Sequence, residues 1–150
     1  MASTGTMSDY LANATLDHSM GDAAYTAPAQ VYLALCSTAV TASMTGGSIT
    51  EMSEHGNHSS GYARVILAKG SFGNATSRNK DYAADIDFGE QVTTGDIDLV
   101  SWAIVDHADV GSGNVLFYGT FDPTPQTVSN GVTVKVLSGN LDIGIKTDLG

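Results

Sequence analysis

Two short runs are apolar on both faces, Val31–Cys36 (VYLALC) and Val115–Tyr118 (VLFY), and they limit the possible folds more than any other feature. Side chains alternate across a β-strand, so a strand that faces water on one side alternates apolar with polar residues. A run without that alternation must be covered on both sides. These two runs are therefore expected to be central strands, with a second layer on one face and a helix, a loop or another subunit on the other.

Other segments show the half-buried pattern. In ADIDF, Ala84, Ile86 and Phe88 point one way and Asp85 and Asp87 the other, and Leu141, Ile143 and Ile145 repeat this around Asp142 and Gly144. Predicted strands fall at 30–36, 63–69, 83–89, 97–106, 114–121, 132–137 and 141–145. DVGSGN, SNGV and SGNL supply glycine-rich turns, and connections this short suit antiparallel neighbours because parallel crossovers need about a dozen residues or more. The expected fold is all-β: an antiparallel β-sandwich, of jelly-roll or Ig-like type, with one short N-terminal helix. Ser8 can cap that helix, Asp9 suits its first turn, and His18 and Gly21 suit its end, while Leu11, Thr15/Leu16 and Met20 are expected to share its apolar stripe.

A chain of 150 residues with 42% hydrophobic content is long enough for one domain with a real core. That domain is assigned to 8–150. Residues 1–7 (MASTGTM) are too polar to fold alone and are expected as an N-terminal arm, and residues 37–61 form a polar loop longer than usual connections. Cys36 is the single cysteine, so no internal disulfide is possible and packing must supply stability. No signal-peptide pattern and no membrane-length apolar stretch is present, and a soluble chain made in a reducing compartment is expected.

Sixteen acidic residues against six basic ones give a net charge of −10, which argues against DNA or RNA as a partner. Only 15% of residues are charged, below the roughly 25% of ordinary domains, as suits a chain that buries surface against other subunits.

Asp17, His18 and Ser19 are the residue types of a hydrolytic triad. Adjacent side chains on a helix diverge by about 100°, so three consecutive residues cannot form a relay, and a helix end is the better reading. His55 and His58, near Glu51 and Glu54, are the one cluster of metal-ligand type, but a Gly/Ser-rich loop must lose entropy to bind and the spacing lacks a second ligand pair. The aspartates of 81–98 alternate along strands and lack the tight spacing of a calcium loop. Trp102, Phe117, Tyr118 and Phe121 sit in apolar strands, where aromatic residues fill cores more often than they bind sugars. With no phosphate loop and no nucleophile beside a base, no catalytic residue, cofactor or metal is expected.

Leu16, Asp17, His18, Gly21, Tyr25, Thr26, Pro28, Tyr32, Ala34 and Leu35 carry a resemblance to small tailed-bacteriophage virion proteins of the tail-fibre-like type. GYAR (61–64), WAIVD (102–106) and GNVLFYGTF (113–121) extend it, so that it spans residues 8–145. The resemblance implies a structural particle component without catalysis, and such short sandwich domains also resemble capsid cement proteins. The first expectation is therefore a cement or decoration protein that stabilises the head by binding major capsid protein subunits and copies of itself as a homo-oligomer. Its location would be the virion, the head surface more than the tail, after synthesis in the host cytoplasm; the alternative is a tail fibre or baseplate component, including a receptor-binding one. Tyr25, Pro28, Arg64 and Trp102 are expected as scaffold positions. The contact arms are expected at 1–9 and 37–60, through Met1, Ser3, Thr4, Met7, Met44, Ile49, Met52, His55 and His58.

Overall fold

The computed structural model describes residues 3–52 and 61–145. Within them the chain runs β1 (Ser3–Met7), α1 (Asp9–Met20), β2 (Val31–Cys36), β3 (Val65–Leu67), β4 (Asn79–Asp81), β5 (Ile86–Glu90), β6 (Ile97–Leu99), β7 (Ser101–Val105), β8 (Val115–Thr120), β9 (Gln126–Val128), β10 (Thr133–Val136) and β11 (Leu141–Gly144). Seven strands form one sheet in the order β3-β2-β7-β8-β1-β11-β4, accompanied by two-stranded sheets β10-β5 and β6-β9. The result is the expected all-β sandwich-like fold with one N-terminal helix.

Alternation decides which residues meet. Val31, Leu33 and Leu35 of β2, Trp102 and Ile104 of β7, and Leu141 and Ile143 of β11 share one core with Ile86, Phe88, Ile97, Leu99, Val128, Val134 and Val136 from the small sheets. The opposite side of β2, β7 and β8 presents Ala34, Cys36, Ala103, Val105 and Val115 to a second core, closed by Val40 and Ile49. This is the double coverage that VYLALC requires, and a loop supplies it. Ser37 N–H donates to the Thr50 carbonyl at 3.0 Å, and Val40 N–H to Ser101 Oγ at 3.2 Å, so residues 37–52 lie folded on the sheet. The expectation of a contact arm there is corrected for Ile49 and Met52, which are 3% and 0% exposed within the chain's own cores. Isolated apolar positions in a polar segment suffice, because a loop over a sheet needs only a few anchors.

Residues 3–7 also depart from the expected arm. They form β1 in the interior of the large sheet, antiparallel to β8 (Thr6 opposite Tyr118) and parallel to β11 (Ser3 opposite Leu141). β1/β11 is the one parallel pair among the described strands. Backbone pairing on both sides holds this strand, so a sequence of small polar residues is enough. The expected strand 97–106 is broken at Val100, whose N–H donates to the Cys36 carbonyl (2.9 Å) and whose carbonyl accepts from Phe121 N–H (3.1 Å). The break lets β6 pair with β9 while β7 joins the large sheet.

Ser8 caps α1 as expected: its Oγ accepts from Leu11 N–H at 3.2 Å and donates to the Val115 carbonyl. The predicted apolar stripe is corrected. Leu11 is buried, but Leu16 is 61% and Met20 86% exposed. Five positions on a helix amount to about 140°, which turns Leu16 away from the face that Leu11 occupies.

Candidate functional site

Asp17, His18 and Ser19 are all exposed on the last turn of α1. His18 Nδ1 accepts from Tyr25 N–H at 3.2 Å and the Asp17 carbonyl accepts from Gly21 N–H at 3.0 Å, so two of the three finish the helix and anchor the segment after it. His55, His58 and Met1 lie outside the described residues, and Ser3 and Thr4 are placed through the backbone of β1. Met7 and Met44 are half-buried, against the main and the second core respectively. Trp102 and Phe121 are buried, and Phe117 and Tyr118 half-buried, as core aromatics.

The aspartates fall as the alternation predicts: Asp85 and Asp87 are exposed while Ile86 and Phe88 are buried. Lys135 Nζ lies 2.8 Å from Asp87 Oδ2. Their hydrogen bond is the largest influence on both, lowering the Asp87 carboxyl, helped by Gly89 N–H, and raising the Lys135 ammonium. Asp142 stands opposite Asp81 across β11 and β4. Burial first, and then the hydrogen bond and charge of Asp81, push the Asp142 carboxyl above its usual range.

The most connected polar cluster joins Glu51, Tyr62 and Arg64. Arg64 Nε and Nη2 donate to Glu51 Oε1 at 3.0 and 2.6 Å, and both side chains are 0% exposed. Nη1 donates to the carbonyls of His107 (2.8 Å) and Ser112 (2.9 Å), and Nη2 also to that of Gly46 (3.3 Å). All five guanidinium donors are thereby engaged. Tyr62 Oη donates to Glu51 Oε2 at 2.7 Å and accepts from Leu35 N–H at 3.0 Å. Burial, followed by the Glu51 charge, pushes the Tyr62 phenol well up. Gly46 fits here because it abuts the Ser112 carbonyl with no room for a Cβ. One buried ion pair thus ties the 37–52 loop, the strand after it and the 106–114 turn together. It holds no spare donor for a substrate anion, and its carboxylate is not free to act as a base.

A shallow hollow of about 310 Å³ lies beside Pro28, Tyr32, Asp106 and His107. Asp106 accepts from Asn114 N–H (2.6 Å) and Nδ2 (2.9 Å), and His107 Nδ1 accepts from Asp109 N–H (3.1 Å), so this acid and imidazole serve the turn. No group of three or more metal-ligating side chains occurs among the described residues. The sequence reading passed over Lys69, Arg78 and Lys80, three of the six basic residues, which gather around two further hollows. Their clustering within 69–80 of an acidic chain was the available signal.

The polar side chains of these clusters hold the chain's own loops and turns together. Residues 6–144 match the family described as podophage GP4 fiber I protein gp80, and the chain belongs to that family. The expected kinship with tail-fibre-like phage structural proteins holds. No curated protein matches the chain.

Proposed function

We propose that the chain is a non-catalytic building block of a podophage fibre, carried on the virion at the tail. The family match over residues 6–144 is the observation that carries this reading, since the family is described as a fibre protein. The engagement of Glu51, Arg64, Asp106 and His107 in the chain's own loops supports a structural role over a hydrolytic one. The first expectation, a head cement protein bound to major capsid protein, draws no support from that match. Copies of the same chain are the proposed neighbours, because fibres are built from symmetric repeats and many weak contacts add through avidity.

Counting copies in purified particles by quantitative mass spectrometry tests the assignment, with antibody-gold labelling to locate them. A few to a few dozen copies at the tail are expected. Hundreds of copies over the head would overturn the fibre reading and restore the cement one.

A further inference from the structure

The cations of this acidic chain are not spread evenly. Arg64 is held by Glu51, and Lys135 faces Asp87. Lys69, Arg78 and Lys80 have no carboxylate within ion-pair distance among the described residues, and Lys69 donates to the Pro28 carbonyl instead. They stand around one place. Two hollows, of about 200 and about 140 Å³, share Lys80, Phe117 and Ile143; Lys69 and Phe72 complete the first and Arg78 the second. Register explains the grouping, because Lys80 lies opposite Ile143 while Met7 pairs with Phe117 one strand away.

An apolar floor rimmed by unpaired cations fits a protruding apolar side chain accompanied by carboxylates. The outward face of α1 carries that combination. Leu16 and Met20, one turn apart, are 61% and 86% exposed. Asp9 lies two turns before Leu16 and Asp17 one turn before Met20, both exposed. We propose that the outward face of α1 in one copy docks, Met20 foremost, into the basic-rimmed hollow of a second copy. Because projection and hollow are different surfaces, a head-to-tail repeat of this contact joins copies into a ring or a filament.

Sedimentation velocity on the full chain tests this through a charge swap. Lys80→Glu and Asp17→Lys should each weaken self-association by about tenfold or more, because each places like charges across the contact. Mixing the two variants should restore it, since every projection then has a hollow of opposite sign. Arg78→Glu replaces Lys80→Glu if far-UV circular dichroism shows that β4 is disturbed. A wild-type chain that stays monomeric at millimolar concentration overturns the proposal, as does a mixture that associates no better than its parents. The assay reads the isolated chain, so its failure is distinguishable from failure of the particle count that tests the fibre reading.

Discussion

Gly5 lies so close against Trp102 that a Cβ at Gly5 would overlap the indole, and it would also approach the Tyr118 carbonyl oxygen to 2.8 Å. Trp102 is the single tryptophan and is fully buried, so β1 completes the wall around a built-in fluorescent reporter. Gly5→Val is expected to destabilise the fold by about 1–3 kcal/mol through overpacking. Deleting residues 1–7 should part β8 from β11 and shift Trp102 emission to the red. Emission and denaturation midpoints unchanged from wild type in both variants would mean that β1 does not hold the sheet.

Removing one member of the Glu51–Arg64 pair leaves the other charge buried and alone. Glu51→Gln or Arg64→Met should each cost about 3–5 kcal/mol in urea unfolding. The double replacement should cost clearly less than the sum of the two, because it leaves neither charge behind. Strict additivity would show that the two side chains act separately.

Asp142 sets a pH dependence. A carboxyl whose folded value is raised gives its most favourable contribution below the unfolded value, about 3.9. That contribution is lost as pH rises through the raised value. Asp142→Asn should therefore stabilise the chain at neutral pH, by about 0.2–1 kcal/mol as for a like-charge pair across two strands, and flatten the stability profile just above pH ~4. Asp87 works the other way, contributing above the ordinary carboxylate value and losing that contribution as pH falls through its lowered one. Denaturation midpoints between pH 3 and 8, with and without Asp142→Asn, separate the two slopes.

Ser8→Ala removes the cap of α1 and the buried donor to the Val115 carbonyl together. A loss of about 1–2 kcal/mol is expected. His18→Ala, which gives up one exposed bond to Tyr25 N–H, should stay within about 0.5 kcal/mol. A larger loss for His18→Ala than for Ser8→Ala would reverse the roles assigned to the two ends of α1.

Periodicity made the central strands legible. VYLALC and VLFY became β2 and the first part of β8 because their two apolar faces demanded two covers, and ADIDF and LDIG kept their acidic residues outward. β1, β4 and β9 were missed because STGTM, NKD and QTV owe their extended state to backbone partners far along the chain, which leave no apolar signature. The folded 37–52 loop was missed for a related reason: its anchors are single residues, and Glu51 finds Arg64 only when the sheet is built. Arg64 was legible as a scaffold position through the family resemblance, whereas the cluster of Lys69, Arg78 and Lys80 needed the register of β4 against β11 to become one surface.

The pairing of Ser3 with Leu141 spans almost the whole chain. During synthesis β1 can pair with β8 once residues 115–120 are made, but its other edge and the whole of β4 have no partner until β11 follows. Contacts this distant slow folding and leave strand edges open in the meantime. When many copies are made together, the hazard is therefore greatest while β11 is still to come, with one edge of β1 and both edges of β4 open to a neighbouring copy.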